Sequence, residues 1–93
     1  MAKWTYTLKS GKALRQAIND DDQLAVLASI LSCIDEIRAN AQIIDEGVLD
    51  MFEAEAQDLI HEADLTGIDE AEINYLLDDF YDFCDDNHIW VDI

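Results

Sequence analysis

The sequence predicts a compact, mainly α-helical single domain over residues 1–93, with four helices and a short two-stranded sheet formed by the N- and C-terminal segments. Three observations predict it. The chain has no proline, only Gly11, Gly47 and Gly67 interrupt it, and Ala, Leu, Ile, Asp and Glu are abundant, which favours helices. Apolar residues recur at helical spacing through the middle of the chain. Both ends switch to aromatic and β-branched residues. The composition is 51% hydrophobic, so the acidity of the chain does not make it disordered, because disorder also needs low hydrophobicity. Ninety-three residues can bury one modest core.

Lys3 to Leu8 alternates by two and reads as a strand with Trp4, Tyr6 and Leu8 on one face. Ser10 is placed to cap a first helix over 11–19, with Leu14, Ala17 and Ile18 inward. Asp20, Asp21 and Asp22 end that helix and suit the start of the next, since short carboxylates accept N–H bonds and complement a positive helix end. The second helix, over 23–38, carries Leu24, Val26, Leu27, Ile30, Leu31, Cys33, Ile34 and Ile37. Apolar positions cover more than half its circumference, which predicts a central helix touched by several neighbours. Arg38 suits its negative end. Residues 39–45 read as either a loop or a continuation. A third helix over 45–64 puts Leu49, Phe52, Ala56, Leu59, Ile60 and Ala63 on one face. After a break at 65–68, Asp69 caps a fourth helix with Glu72 three residues on, a variant capping box. Its stripe is Ile73, Leu76, Leu77, Phe80 and Cys84. The closing segment from His88 is β-type, and pairing of the two ends would let Trp4 and Trp90 close one end of the core.

Charge is distributed unevenly. The formal net charge is −17, and all 22 acidic residues follow Asn19. Lys3, Lys9, Lys12 and Arg15 precede it, and Arg38 is the only later Lys or Arg. The basic head is expected to pair in part with the acidic body. Solubility of a small domain needs a net charge of only about 2–8. A larger excess makes the compact state repel itself, so a basic partner is the simplest reason for it. Direct binding to nucleic acid or to an anionic membrane is disfavoured by the same charge. No apolar run approaches the ~20 residues of a membrane span. Lys3, Thr5, Thr7 and Lys9 break up the apolar core that a signal peptide needs, so a cytoplasmic location is expected.

The fourth helix carries the most informative constellation. At 100° per residue, Glu72, Asp78, Asp79, Asp82, Asp85 and Asp86 fall opposite its apolar stripe. Carboxylates at i, i+3 and i+4 repel, yet no lysine relieves them. Tyr75 falls among them, where its ring either packs against a neighbouring loop or stacks on a partner's arginine while the acids pair with neighbouring cations. The third helix adds Asp50, Glu53, Glu55, Asp58 and Glu62. If both faces point the same way, they make an array of fixed negative charge comparable to that of duplex DNA. The expected partner-binding residues are therefore Glu72, Tyr75, Asp78, Asp79, Asp82 and Asp86, extended by Asp50, Glu53 and Asp58.

Catalytic and cofactor chemistry finds little support. No nucleophile–base pair is visible, so no enzyme activity is expected. Ser10-Gly11-Lys12 lacks the first glycine and spacing of a phosphate loop. Asp20 to Asp22 lack the ligand pattern of a calcium loop. Cys33 and Cys84 match no zinc spacing and read as buried thiols, so no metal or other cofactor is expected. His61, near Asp58 and Asp64, reads as a surface residue.

Two segments, Tyr6 to Ile18 and Asn74 to Cys84, resemble small acidic proteins encoded by prophages and mobile elements of Gram-positive bacteria. The similarity covers under a third of the chain and includes no functional motif. It implies a phage-type context, in which acidic accessory proteins block host proteins that handle DNA, such as CRISPR effectors (an anti-CRISPR role), restriction enzymes and nucleases. The expectation is a non-enzymatic inhibitor or nucleic-acid mimic that occupies the basic surface of such a host protein. The alternative is a structural or assembly protein that forms a homodimer through Phe83, Tyr81, Met51 and Trp90, its acidity serving solubility.

Overall fold

The computed structural model describes residues 6–40 and 46–91. Their order is β1 (Tyr6–Leu8), α1 (Gly11–Asn19), α2 (Gln23–Asn40), α3 (Glu46–Leu65), α4 (Glu70–Asp86) and β2 (Ile89–Val91). The protein is mainly helical, with four helices and a two-stranded sheet from its two ends. Trp4 and residues 41–45 lie outside the described residues. The strands run parallel, with Tyr6 opposite Ile89, Thr7 opposite Trp90 and Leu8 opposite Val91. A parallel pair needs a long crossover, and here the four helices supply it.

α2 is the central element. Val26, Leu27, Ile30, Cys33, Ile34 and Ile37 are buried along it, and α1, α3, α4 and β1 all pack against it. Its wide apolar arc dictates this position. Leu24, placed on that arc by the sequence, is instead exposed at the helix start, and Ile18 is exposed at the end of α1. Both flank the α1–α2 turn, where the chain reverses and, among the described residues, nothing covers the outer side of either helix end. On α3 the core face is shorter than predicted. Leu49, Phe52 and Ala56 are buried, while Leu59, Ile60 and Ala63 are only partly covered. Phe52 meets Phe80 and Phe83 edge-to-face, with ring centroids 5.9 and 5.5 Å apart. Such pairs add about 0.5–1.5 kcal/mol beyond area burial, which anchors α3 to α4.

The helix ends are chemically specific. Asp22 Oδ1 accepts from the Ala25 N–H at 3.2 Å and starts α2. Asp21 takes the left-handed backbone conformation, φ 53°, that reverses the chain between α1 and α2, and Asp tolerates it better than most residues. Asp69 accepts from the Glu72 N–H at 3.2 Å and caps α4 as predicted. Gly67, at φ +109°, ends α3 with its N–H on the Glu62 carbonyl.

Ser10 does not cap α1 with its side chain. Its hydroxyl donates instead to Glu36 Oε1 at 2.8 Å. Glu36 also accepts from the Ser10 N–H at 2.8 Å, the Lys9 N–H at 2.8 Å and the Tyr6 hydroxyl at 2.6 Å. One carboxylate on α2 thus holds the whole β1–α1 turn. Desolvation raises its pKa, but the hydrogen bonds from Tyr6, Lys9 and Ser10 outweigh that and bring it from 4.5 down to about 2.

β2 alternates as a strand should. Ile89 and Val91 are buried and Trp90 is exposed. Trp90 therefore does not close the core as expected; the two-residue period points it outward once Ile89 and Val91 face in.

Cys33 and Cys84 are free and buried. Burial pushes both thiols up to about 12, with Glu36 adding to the effect at Cys33 and Cys33 adding to it at Cys84. The thiolate is the reactive form, so Ellman's reagent at pH 8 should label neither cysteine until denaturant is added. Beside them, the Tyr81 hydroxyl is buried and has no hydrogen-bond partner. Burial raises its pKa, and Cys33, Asp78 and Cys84 raise it further. An orphaned buried hydroxyl costs stability. Tyr81→Phe should therefore stabilise the fold by about 1 kcal/mol, read as a higher urea midpoint.

Candidate functional site

α3 and α4 run antiparallel through the short connection at Thr66 to Asp69. Their outer surfaces bring together most of the residues that the sequence singles out. On α4, Glu72, Asp78, Asp79, Asp82, Asp85 and Asp86 are all exposed, because Ile73, Leu76, Phe80, Phe83 and Cys84 take the opposite side into the core. Tyr75 lies among them and is 65% exposed, so its ring is not packed into the body of the protein.

Two clefts follow the seam between these helices. Glu55, Asp58, Leu59 and Glu62 of α3 line one with Asp69 and Glu72. Val48, Met51 and Phe52 of α3 line the other with Asp79, Asp82, Phe83 and Asp86 of α4, and Asn87 just beyond it. The acidic faces of the two helices are thus contiguous along part of their length. No Lys or Arg occurs anywhere in residues 39–93, so neither helix contributes a Lys or Arg to this surface.

Asp50 and Glu53 belong elsewhere. Arg38 Nη1 donates to Glu53 Oε2 at 2.8 Å, and Arg38 Nη2 pairs with Asp50. The hydrogen bond to Glu53, aided by the charges of Glu53 and Asp50, holds the guanidinium even more firmly protonated than usual, against some desolvation. These two acids clamp α3 to α2 and do not extend the α4 surface. Arg38 lies in the last turn of α2 as expected, and its anions come from the next helix. Helical spacing carries the reason. From Asp58, Asp50 lies about 80° away around α3 and Glu53 about 140°, whereas Glu55 and Glu62 lie within about 60°. Asp58 stays in the array, joined by Glu55 and Glu62.

The basic residues Lys9, Lys12 and Arg15 lie on the β1–α1 turn and on α1, which packs chiefly against α2. The cations of α1 are therefore on a different helix from the acids of α3 and α4. Over the ~21 Å of axis between Glu72 and Asp86, Glu72, Asp79, Asp82 and Asp86 of α4 with Glu55, Asp58 and Glu62 of α3 follow the seam and give about one charge per 3 Å, against one per ~1.7 Å in duplex DNA. Asp78 and Asp85 lie about 120° and 140° around α4 from Glu72 and widen the surface away from α3.

Of the side chains proposed for an apolar dimer contact, Phe83 is buried and Tyr81 half-buried, while Met51 is 52% and Trp90 39% exposed. The four do not form one exposed patch. Among the described residues, no helix is long and apolar enough to cross a membrane, and no cluster of His, Cys, Asp and Glu is arranged to hold a metal ion.

Two features escape sequence reasoning. Glu36 is invisible to it, because its partners lie 26–30 residues away in the chain. Met51, a candidate dimer contact by sequence, sits in the cleft with Asp79, Asp82 and Asp86. Its position one turn before Glu55 on the outer face of α3 is the available signal. No protein-family model, curated protein or solved structure matches the chain.

Proposed function

We propose that this protein is a non-enzymatic acidic binding protein that occupies the basic, nucleic-acid-binding surface of a host protein, as an inhibitor or nucleic-acid mimic. One observation carries the reading: the outer surface of α3 and α4 displays a contiguous line of carboxylates, at roughly half the linear charge density of duplex DNA, with Tyr75 exposed beside it. Glu72, Asp78, Asp79, Asp82 and Asp86 supply long-range steering and pairing with Lys and Arg, and Asp58 extends them. Tyr75 supplies an aromatic surface on which an arginine can stack. Steering of this kind accelerates association and weakens with salt.

The experiment is a competition. A DNA-binding host protein captured on the immobilised domain at about 50 mM NaCl should be displaced both by duplex DNA and by about 500 mM NaCl. Capture that persists in high salt and ignores DNA would rule the mimic reading out and favour an apolar assembly role.

A further inference from the structure

The α3–α4 surface is not uniformly polar. Between its carboxylates runs a cleft of about 440 Å³ whose floor includes Met51, Phe52 and Phe83, and whose α4 rim is Asp79, Asp82 and Asp86. The cleft is a shallow, open groove, suited to a partner laid across it and not to an enclosed small ligand. A solvated charged face has no need of an apolar floor. Met51 is 52% exposed there, and a flexible, polarisable thioether is the side chain that adapts to varied apolar partners.

We infer that this cleft seats a basic amphipathic helix of the partner, with its apolar stripe on Met51 and the half-buried Val48, above the buried Phe52 and Phe83, and its arginines and lysines on Asp79, Asp82 and Asp86. The inference rests on reading α3 and α4 as a binding face for basic proteins, and it specifies the element that face takes. Charge complementarity sets the sign of the occupant: the rim is acidic and neither wall contains a Lys or Arg. Geometry sets its form. The rim carboxylates recur at i, i+3 and i+7 along one side of α4, which is the spacing that a facing helix reads. The seam continues to Glu72, about 21 Å from Asp86 along the axis, the length of a helix of ~14 residues.

Backbone accounting favours a helix over an extended segment. Both walls are helices whose own N–H and C=O groups are already bonded, so a strand laid between them would find no ladder partner. A helix satisfies its backbone internally and brings only side chains to the cleft. A helix with cations on its flanks is also what many DNA-binding proteins insert into the major groove. Capturing it would remove the element that reads DNA.

The test uses two synthetic peptides of about 14 residues with identical Leu, Arg and Ala composition. One places Leu at i, i+3, i+7 and i+10 with Arg on both flanks; the other is scrambled so that no apolar face forms. The probes are titrated into the intact protein by calorimetry at about 100 mM NaCl, with chemical-shift mapping. The amphipathic peptide should bind about 10-fold more tightly than the scrambled one, or better. Met51→Gln, at a half-exposed position, should weaken the amphipathic peptide about 5-fold and leave the scrambled one unchanged. Shifts should concentrate on 48–55 and 79–87.

Equal binding of the two peptides would overturn the helix inference while sparing the broader reading of an acidic binding face. Binding of neither would sink both. A free protein that sediments as a dimer, and becomes monomeric with Met51→Gln, would give the cleft to a second copy and overturn the inference as well.

Discussion

Reversing three charges on α4, with Asp78→Lys, Asp79→Lys and Asp82→Lys together, should lower affinity for a basic partner on the order of 100-fold without unfolding the domain. All three side chains are exposed, so the core keeps its packing. Each substitution replaces an attraction to partner cations with a repulsion, and like charges set against each other across an interface cost several kcal/mol. Intramolecular effects go the other way. Asp82→Lys sets a cation three and four residues before Asp85 and Asp86, converting repulsions into attractions of about a few tenths of a kcal/mol each. The variant should therefore melt at or above the wild-type temperature while losing capture. Tyr75→Ala, which leaves every charge in place, isolates the aromatic anchor and should cost about 10-fold. Undiminished capture by the triple variant would show that another face does the binding.

Glu36→Ala should be the most destabilising exchange of a charged residue in the described structure. The carboxylate accepts four hydrogen bonds from Tyr6, Lys9 and Ser10. Its loss releases the β1–α1 turn and strands donors that are partly buried. The expected cost is about 2–3 kcal/mol, or about 10–20 °C in melting temperature for a domain this size.

The pH dependence separates this latch from the general acidity. The pKa of Glu36 is lowered from 4.5 to about 2 on folding. Its contribution is then complete above pH 4.5, where the carboxylate is ionised in both states. It is lost as pH falls from 4.5 to about 2, because the unfolded chain takes up the proton first. The group is half-buried, so solvent screening holds the pH-linked part to about 1–2 kcal/mol. The stability difference between wild type and Glu36→Gln, measured by urea unfolding from about pH 7 to about pH 2.5, should stay constant down to about 4.5 and then shrink. A difference that does not shrink at the acid end would refute the latch. Comparison with the variant is needed because acid also removes the self-repulsion of the −17 charge, which acts on both proteins alike.

Much of the fold is legible in the residue order. α1 runs from Gly11 to Asn19 as expected, and the other helices begin within a residue of their predicted starts. Local causes set these limits: a 3.6-residue apolar period, acidic caps at Asp22 and Asp69, and Gly67 where a left-handed residue ends α3. Expectation and structure part where a neighbour decides the outcome. Ser10 has a helix end to cap and bonds Glu36 instead. Trp90 has the composition of a core residue but takes the outward side of a two-residue period. Leu24 matches the apolar arc of α2 at a point that is left exposed among the described residues.

The candidate site divides along the same line. Residue order alone puts the acids of α4 opposite its apolar stripe, since helical period follows from it, and it leaves no Lys or Arg after Arg38. Packing chose which carboxylates share a surface. It drew Asp50 and Glu53 to Arg38, joined Glu55, Asp58 and Glu62 to Asp69 and Glu72, and put Met51 beside Asp79, Asp82 and Asp86. A helix fixes the angle of each side chain around its own axis, but the direction that angle faces depends on how the helix lies against its neighbours.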